Sequence, residues 1–190
     1  MAAAKKHEAV VIGASAGAVE ALLQLLPSLP ADYPLPLMLV VHLPPDKDNV
    51  LPGLLQARCR LKVREAEDKE RLEAGTVYVA PPDYHLLVER ERCLSLSVEE
   101  PVLFSRPSVD VLFETAADAY GESLIGVILT GASSDGAHGL ATVCDAGGTA
   151  LVLDPAKAYA PVMPEAALAA CPQARMLSLP QIRDFLQEAA

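Results

Sequence analysis

The chain has 190 residues, 52% of them hydrophobic and 21% charged, which predicts a globular protein with one core and excludes a disordered chain. Its net charge of −10 disfavours binding to phosphate backbones, so no nucleic-acid partner is expected. No apolar run approaches the roughly 20 residues that cross a bilayer, so direct membrane insertion is not expected. The N-terminal segment lacks a signal-peptide cleavage site, which favours a cytoplasmic location.

Buried strands and amphipathic helices alternate in the first sixty residues. The continuous apolar runs at 9–13 and 37–42 are typical of strands buried on both faces. Apolar residues at helical spacing over 19–26 predict a helix that ends at Pro27. A second helix is predicted over 52–59, with its proline in the first turn.

The middle of the chain has a different pattern. Apolar and polar residues alternate over 76–98, which predicts a β-hairpin or small meander that turns near 90–92. Helical spacing returns over 109–120, where Ser108 is a suitable N-cap and Gly121 a suitable stop.

Strands and helices then alternate to the C-terminus, beginning with a third buried strand at 123–131 and a helix at 136–145. This order predicts one α/β domain over 1–190, with a doubly wound, mainly parallel, Rossmann-like sheet and an antiparallel β-hairpin addition. Ligands of such sheets bind beyond the carboxyl ends of the strands.

Three of these strand ends carry residues suited to acyl transfer. Ser15 lies in the G-A-S-A-G-A turn, His42 follows the second strand, and Asp135 lies in T-G-A-S-S-D-G-A-H-G. Taken singly, each has a structural explanation: a helix cap or phosphate cradle for the serine, a structural hydrogen bond for the histidine, and a helix cap for the aspartate. Together they match the nucleophile, base and carboxylate of a serine hydrolase.

The segments VVIGASAGAVEAL, VVHLPP, RPSVDVLFETAADAYG and GVILTGASSDGAHGL resemble, in this order, the catalytic domain of CheB-type protein-glutamate methylesterases. The resemblance spans roughly residues 8 to 170. It implies hydrolysis of glutamyl methyl esters, and in some members deamidation of glutamines, on the cytoplasmic helices of methylated chemotaxis receptors. It implies no cofactor and no metal. The family's usual receiver domain has no counterpart here, so a separate regulatory receiver protein is a possible partner.

The resemblance also implies a role for each matching site residue. The nucleophile maps to Ser15, the base to His42 and the carboxylate to Asp135. The amides that begin at Ala16 and Gly17, together with the loop at Ala132, map to the oxyanion region. Arg106 maps to a residue that lines the cleft, with support of the neighbouring loop as an equal alternative.

The sequence departs from the family pattern at Ala18, where a second glycine is usual, at Ala132 and Ser133, where Met-Gly is usual, and at Glu165, where a basic residue is usual. These departures leave substrate choice and turnover rate open. Three alternatives remain: a small-molecule carboxylesterase, to which Ala18 and Ala132 point, a receptor-binding module with weak or no catalysis, and a phosphate or nucleotide binder that uses the GASAG turn.

The four cysteines, Cys59, Cys93, Cys144 and Cys171, include no C-x-x-C pair and are predicted to be reduced thiols. No histidine has a second ligand at metal spacing, so no metal site is expected. His85 is interpreted as a hydrogen-bond anchor of the hairpin, and His138 as a partly exposed helix residue.

Overall fold

A computed structural model describes residues 6–43 and 49–190 of the chain. Pro44 and Pro45 of the VVHLPP motif lie outside the described residues.

Seven parallel strands form one sheet. They are β1 (Ala9–Ala14), β2 (Leu37–Val41), β3 (Lys62–Glu65), β4 (Thr76–Val79), β7 (Leu124–Ile128), β8 (Thr149–Leu153) and β9 (Arg175–Leu177), and a separate antiparallel pair is formed by β5 (His85–Val88) and β6 (Leu94–Ser97). The order in the sheet is β3-β4-β2-β1-β7-β8-β9. The predicted doubly wound parallel sheet is therefore confirmed.

Helices cover both faces of the sheet. They are α1 (Ala18–Leu25), α2 (Leu51–Gln56), α3 (Val109–Tyr120), α4 (Ala137–Asp145), α5 (Val162–Ala170) and α6 (Leu179–Glu188). Two apolar clusters lie on opposite sides: one contains buried residues of α1, α2 and α6, and the other contains those of α3, α4 and α5. Strands β1, β2 and β7 are completely buried, because a sheet covered on both faces leaves no strand side for water.

The prediction for the middle of the chain is partly wrong. The hairpin exists as β5 and β6, joined through residues 89–93, but 76–79 belongs to the main sheet as β4, parallel to β2 and β3. All four residues of β4 are buried, so this strand never had the half-exposed surface that alternation implies. Strand β3 was missed, since its KVRE sequence is that of a charged edge strand.

The cysteine prediction is also partly wrong. Cys144 at the end of α4 and Cys171 at the end of α5 form a disulfide, although 27 positions separate them in sequence. The packing of α4 against α5 brings them together, and cysteine spacing does not reveal that packing. Cys59 and Cys93 are free and half-buried, and burial raises the pKa of the Cys59 thiol.

The chain leaves β1 toward β2 on one side and later crosses to β7 on the other, so the sheet reverses its strand order at β1. The carboxyl ends of β1, β2 and β7 meet at this point, where doubly wound sheets bind their ligands. Among the residues described, the helices are too short or too polar to cross a membrane.

Candidate active site

Ser15 and His42 lie side by side at the carboxyl ends of the neighbouring strands β1 and β2. Ala14 of β1 pairs with Val41 of β2, and each is followed directly by one of the two residues. The amide of His42 donates to the carbonyl of Ala14 at 3.2 Å, and the amide of Ser15 donates to the carbonyl of Thr130 at 2.8 Å. Since neighbouring strands lie about 4.8 Å apart, this register brings the serine next to the histidine.

The turn after β1 projects Ser15 without using it as a cap. The N-cap of α1 is Gly17, which has a φ of 83° and no side-chain capping bond. A Cβ at this glycine would lie 2.5 Å from Cβ of Tyr159, so both its backbone conformation and its surroundings require glycine. The interpretation of Ser15 as a helix cap is therefore wrong.

His42 and Asp135 form a hydrogen-bonded pair. The ring Nε2 lies 2.7 Å from Oδ2 of the aspartate. The imidazole is 13% exposed and the carboxylate is completely buried. Because the carboxylate fixes the proton on Nε2, Nδ1 is the ring nitrogen left to accept a proton.

Asp135 is held by the N-terminus of α3. The hydroxyl of Ser108 and the amide of Asp110 donate to Oδ1 at 2.9 and 3.0 Å, and the amide of Val109 donates to Oδ2 at 2.7 Å. Burial opposes ionisation of Asp135, but the hydrogen bonds from His42, from these two amides and from Ser108 outweigh it and hold the pKa below its usual value. The site therefore contains a carboxylate that stays ionised beside the imidazole.

Ser108 has two roles at this helix end. Its hydroxyl also accepts from the amide of Val111, which confirms the predicted N-cap. Its own amide donates to Nδ1 of His85 at 3.1 Å, and Nε2 of that buried histidine contacts the carbonyl of Glu100 at 3.0 Å. His85 thus anchors the segment that follows the hairpin, as expected.

Asp110 is a functional-site residue that the strand-end pattern missed. Its carboxylate accepts from the amides of Gly136 and Gly139 at 2.9 and 2.7 Å, so it fixes the turn that carries Asp135. Burial, assisted by the nearby charges of Asp135 and Glu114, raises its pKa. A charged residue on the apolar side of an amphipathic helix was the signal that could have identified it.

The proposed oxyanion region has amides that are free to donate. Within residues 6–43 and 49–190, the amides of Ala16 and Ala132 have no protein acceptor. The loop that carries Ala132 is fixed on both sides of Gly131, whose amide donates to Ala160 and whose carbonyl accepts from Met163. A Cβ on Gly131 would lie 2.9 Å from Cβ of Ser15, so this loop passes directly beside the serine.

Ser15 and His42 line one shallow cleft of about 520 Å³. Exposed Val19 and Glu20 of α1 form part of its rim. In the described part of the chain the Ser15 hydroxyl has no hydrogen-bond partner, so its bond to His42 is not formed in this structure. Such bonds are often long in free enzymes and shorten when substrate is bound.

Arg106 lies beside the site rather than among the triad residues. Its guanidinium donates to Asp83 Oδ1 at 2.7 and 3.0 Å and to the carbonyls of Val98 and Glu99 at 2.9 and 3.1 Å. These contacts favour the alternative that Arg106 supports the neighbouring loop. A role in lining the cleft stays a prediction.

The departures from the family pattern have different structural settings. Ala18 is buried in the core cluster beneath α1, so its methyl group packs inward. The hydroxyl of Ser133 accepts from the amide of Asp135 at 3.1 Å and helps to hold that turn. Ala132 and Glu165 are exposed.

A larger cavity of about 910 Å³ lies at the opposite edge of the sheet, where β1 and β2 begin. Arg92, which lines this cavity, is paired with Glu8 at 2.9 Å and lies over the ring of Tyr120. None of the predicted site residues line it. Across the described residues, no group of three or more His, Cys, Asp and Glu side chains is arranged to hold a metal ion.

Known proteins are similar to this chain in sequence and fold. The family model for CheB methylesterase matches residues 10–186. A protein of Leptospira interrogans, provisionally named a protein-glutamate methylesterase/protein-glutamine glutaminase, is 47% identical over 94% of this chain and 93% of its own length. An Archaeoglobus fulgidus protein-glutamate methylesterase/protein-glutamine glutaminase is 39% identical over 86% of this chain, which spans 48% of that relative.

A solved structure has the same architecture. The crystal structure of the Thermotoga maritima CheB methylesterase catalytic domain matches with a TM-score of 0.92 and 32% identity, and the match covers 97% of this chain and 100% of that chain.

Proposed function

The chain belongs to the CheB methylesterase family, a family of carboxylic ester hydrolases, and we propose that Ser15, His42 and Asp135 form its catalytic triad. The proposed substrates are the glutamate methyl esters on the cytoplasmic helices of chemotaxis receptors. Glutamine side chains at the same sites are proposed as a second substrate, because the relatives' names include protein-glutamine glutaminase.

The observation that carries the triad is the 2.7 Å pair of His42 and Asp135 next to the residue that follows β1. A phosphate or nucleotide binder would have no need for an imidazole paired with a buried carboxylate at this point. The shallow cleft favours a side chain presented on a protein surface over an enclosed small molecule.

In the first step, Ser15 Oγ attacks the ester carbonyl while His42 Nδ1 takes its proton. The carbonyl oxygen becomes an oxyanion, to which the amides of Ala16 and Ala132 are proposed to donate hydrogen bonds. Each bond would stabilise the transition state by about 3 kcal/mol. The imidazolium is stabilised by Asp135. The C–O bond to the methoxy group then breaks, and His42 protonates the departing methanol.

In the second step, water attacks the glutamyl ester of Ser15 and gives a proton to His42. The ester bond breaks, His42 returns the proton to Ser15 Oγ, and a glutamic acid side chain is released. This side chain then gives the second proton of the attacking water to the solvent and becomes a carboxylate. With glutamine as substrate, the same sequence releases ammonia in place of methanol.

The proposed substrate places the enzyme in the cytoplasm.

The test is methanol release from a methylated receptor fragment. Wild-type protein should release methanol, and Ser15→Ala should abolish turnover, with a fall in rate of about 10⁶-fold. A short aryl ester is measured in parallel. Methanol release that survives in Ser15→Ala would contradict the triad, and rapid cleavage of the aryl ester alone would indicate a small-molecule esterase.

A further inference from the structure

An exposed apolar turn lies between the hairpin and α3. Val102 and Ser105 exchange two backbone hydrogen bonds, at 3.0 and 2.8 Å, and enclose Leu103 and Phe104 as a two-residue loop. The side chain of Phe104 is fully exposed and that of Leu103 is half exposed. We name residues 98–105 the apolar turn segment.

The backbone of this turn is unfavourable for the residues that occupy it. Leu103 and Phe104 have φ angles of 47° and 65°. Two-residue hairpin loops with positive φ at both positions prefer Asn-Gly, because a Cβ is strained in the left-handed region. Burial of apolar surface does not offset this strain at Phe104, which is fully exposed, and offsets it only in part at Leu103. Strain combined with exposure indicates a role in contact with another molecule.

The apolar turn segment is held by hydrogen bonds at its start and ends close to the triad in the chain. Arg106 binds the carbonyls of Val98 and Glu99 at one end of the segment and Asp83 on the other side. Only four residues lead from Phe104 to Ser108, whose hydroxyl contacts Asp135, so their Cα atoms are at most about 14 Å apart. A helix advances about 1.5 Å per residue. A bound helix of about ten residues would therefore be long enough to contact both Phe104 and the region of Ser108.

The charge of the segment indicates the chemistry of its partner. Residues 98–105 contain two exposed carboxylates, Glu99 and Glu100, and no cation. Apolar side chains next to carboxylates complement an amphipathic helix that presents an apolar side chain beside lysine or arginine.

From this setting we propose that Leu103 and Phe104 dock the receptor helix that carries the esterified glutamate, with Glu99 and Glu100 pairing with its basic side chains. The proposal rests on the proposed function and assigns the substrate-binding surface of that site. The turn raises affinity for the protein substrate and leaves the chemistry at Ser15 unchanged.

The test measures binding separately from turnover. In a Ser15→Ala background, affinity for a methylated receptor fragment is compared with and without Leu103→Asn and Phe104→Gly, introduced together. We expect binding to weaken by about tenfold, as is typical for loss of an aromatic anchor. The substitutions install the residues that the turn prefers, so the melting temperature should be equal or higher.

Controls separate the docking role from other effects. Met176→Asn removes another exposed apolar side chain, at the β9 edge, and should leave binding unchanged. With Ser15 present, the turn variant should raise KM for receptor about tenfold, hold kcat within about twofold and cleave a short aryl ester normally. Glu99→Gln with Glu100→Gln should weaken binding and reduce its dependence on salt.

Binding that stays within about twofold in the turn variant, or that falls equally in Met176→Asn, would overturn the proposal. The proposal would also be overturned if the turn substitutions weakened binding of the protein to lipid vesicles but not to the receptor fragment. Failure of the catalytic proposal is a different result: methanol release would be absent or independent of Ser15 while the affinity comparison still decides the docking role.

Discussion

Asp135 and Ser15, the carboxylate and the nucleophile of the candidate triad, are held in different ways. Asp135 is completely buried and receives hydrogen bonds from His42, Ser108 and two amides of α3. Ser15 is half-buried in an open cleft, and its hydroxyl has no partner among the described residues. The carboxylate is therefore part of the structural core, whereas the nucleophile is left free for substrate.

This difference separates activity from stability. Loss of the serine hydroxyl removes no contact that the folded protein uses, but loss of the carboxylate leaves buried donors without an acceptor. Removal of Asp135 should therefore cost more folding free energy than removal of the Ser15 hydroxyl, although both residues belong to the candidate triad.

The largest combined effect on stability and turnover is expected for Asp135→Ala. Turnover should fall by about 10⁴-fold, and the free energy of unfolding should fall by about 3 kcal/mol, because Ser108 and two amides lose their acceptor. Urea denaturation and methanol release measure the two effects. Ser15→Ala is the matched control, with a larger loss of turnover of about 10⁶-fold and a change in unfolding free energy below about 0.5 kcal/mol. Similar stability of the two variants would contradict the comparison.

A smaller effect is expected at the serine turn itself, from Gly17→Ala. The left-handed backbone and the 2.5 Å approach to Tyr159 should together cost about 2 kcal/mol of unfolding free energy and lower turnover by distorting the turn. Thermal and urea unfolding measure the loss. Gly53→Ala is the control: this glycine lies in α2 with nothing within 4 Å of the added methyl group, so stability should rise by about 0.5–1 kcal/mol.

The smallest effect concerns acid stability, where Asp135 and Asp110 should act with opposite signs. The folded pKa of Asp135 is lowered, so its stabilising contribution is present above the unfolded pKa of about 3.9 and is lost as pH falls through the folded value. The folded pKa of Asp110 is raised, so its ionised form destabilises the protein at neutral pH, and this cost disappears as pH falls through the raised value.

Urea denaturation between pH 3 and 7 tests these signs. With decreasing pH, wild type should lose stability relative to Asp135→Asn and gain stability relative to Asp110→Asn. Parallel curves for the two variants would show that the carboxylates are not differently held.

Much of the fold was predictable from local pattern. The strands at 9–14, 37–41 and 124–128 are continuous apolar runs because both of their faces are buried, and that composition is visible without a structure. Ser108 and Gly121 mark the ends of α3 through local backbone requirements. Strand β4 was misplaced, since a short TVYV segment does not reveal which sheet it joins.

What the sequence alone determined was which residue types stand at the ends of the buried strands, because a strand's burial and its end are local properties of composition. The tertiary structure alone decided the partners: the α3 amides on Asp135, the turn held by Asp110, the disulfide between α4 and α5, and the exposure of Phe104. Each joins residues that are distant in sequence or depends on what packs nearby. Their contacts therefore depend on how helices and strands pack in three dimensions.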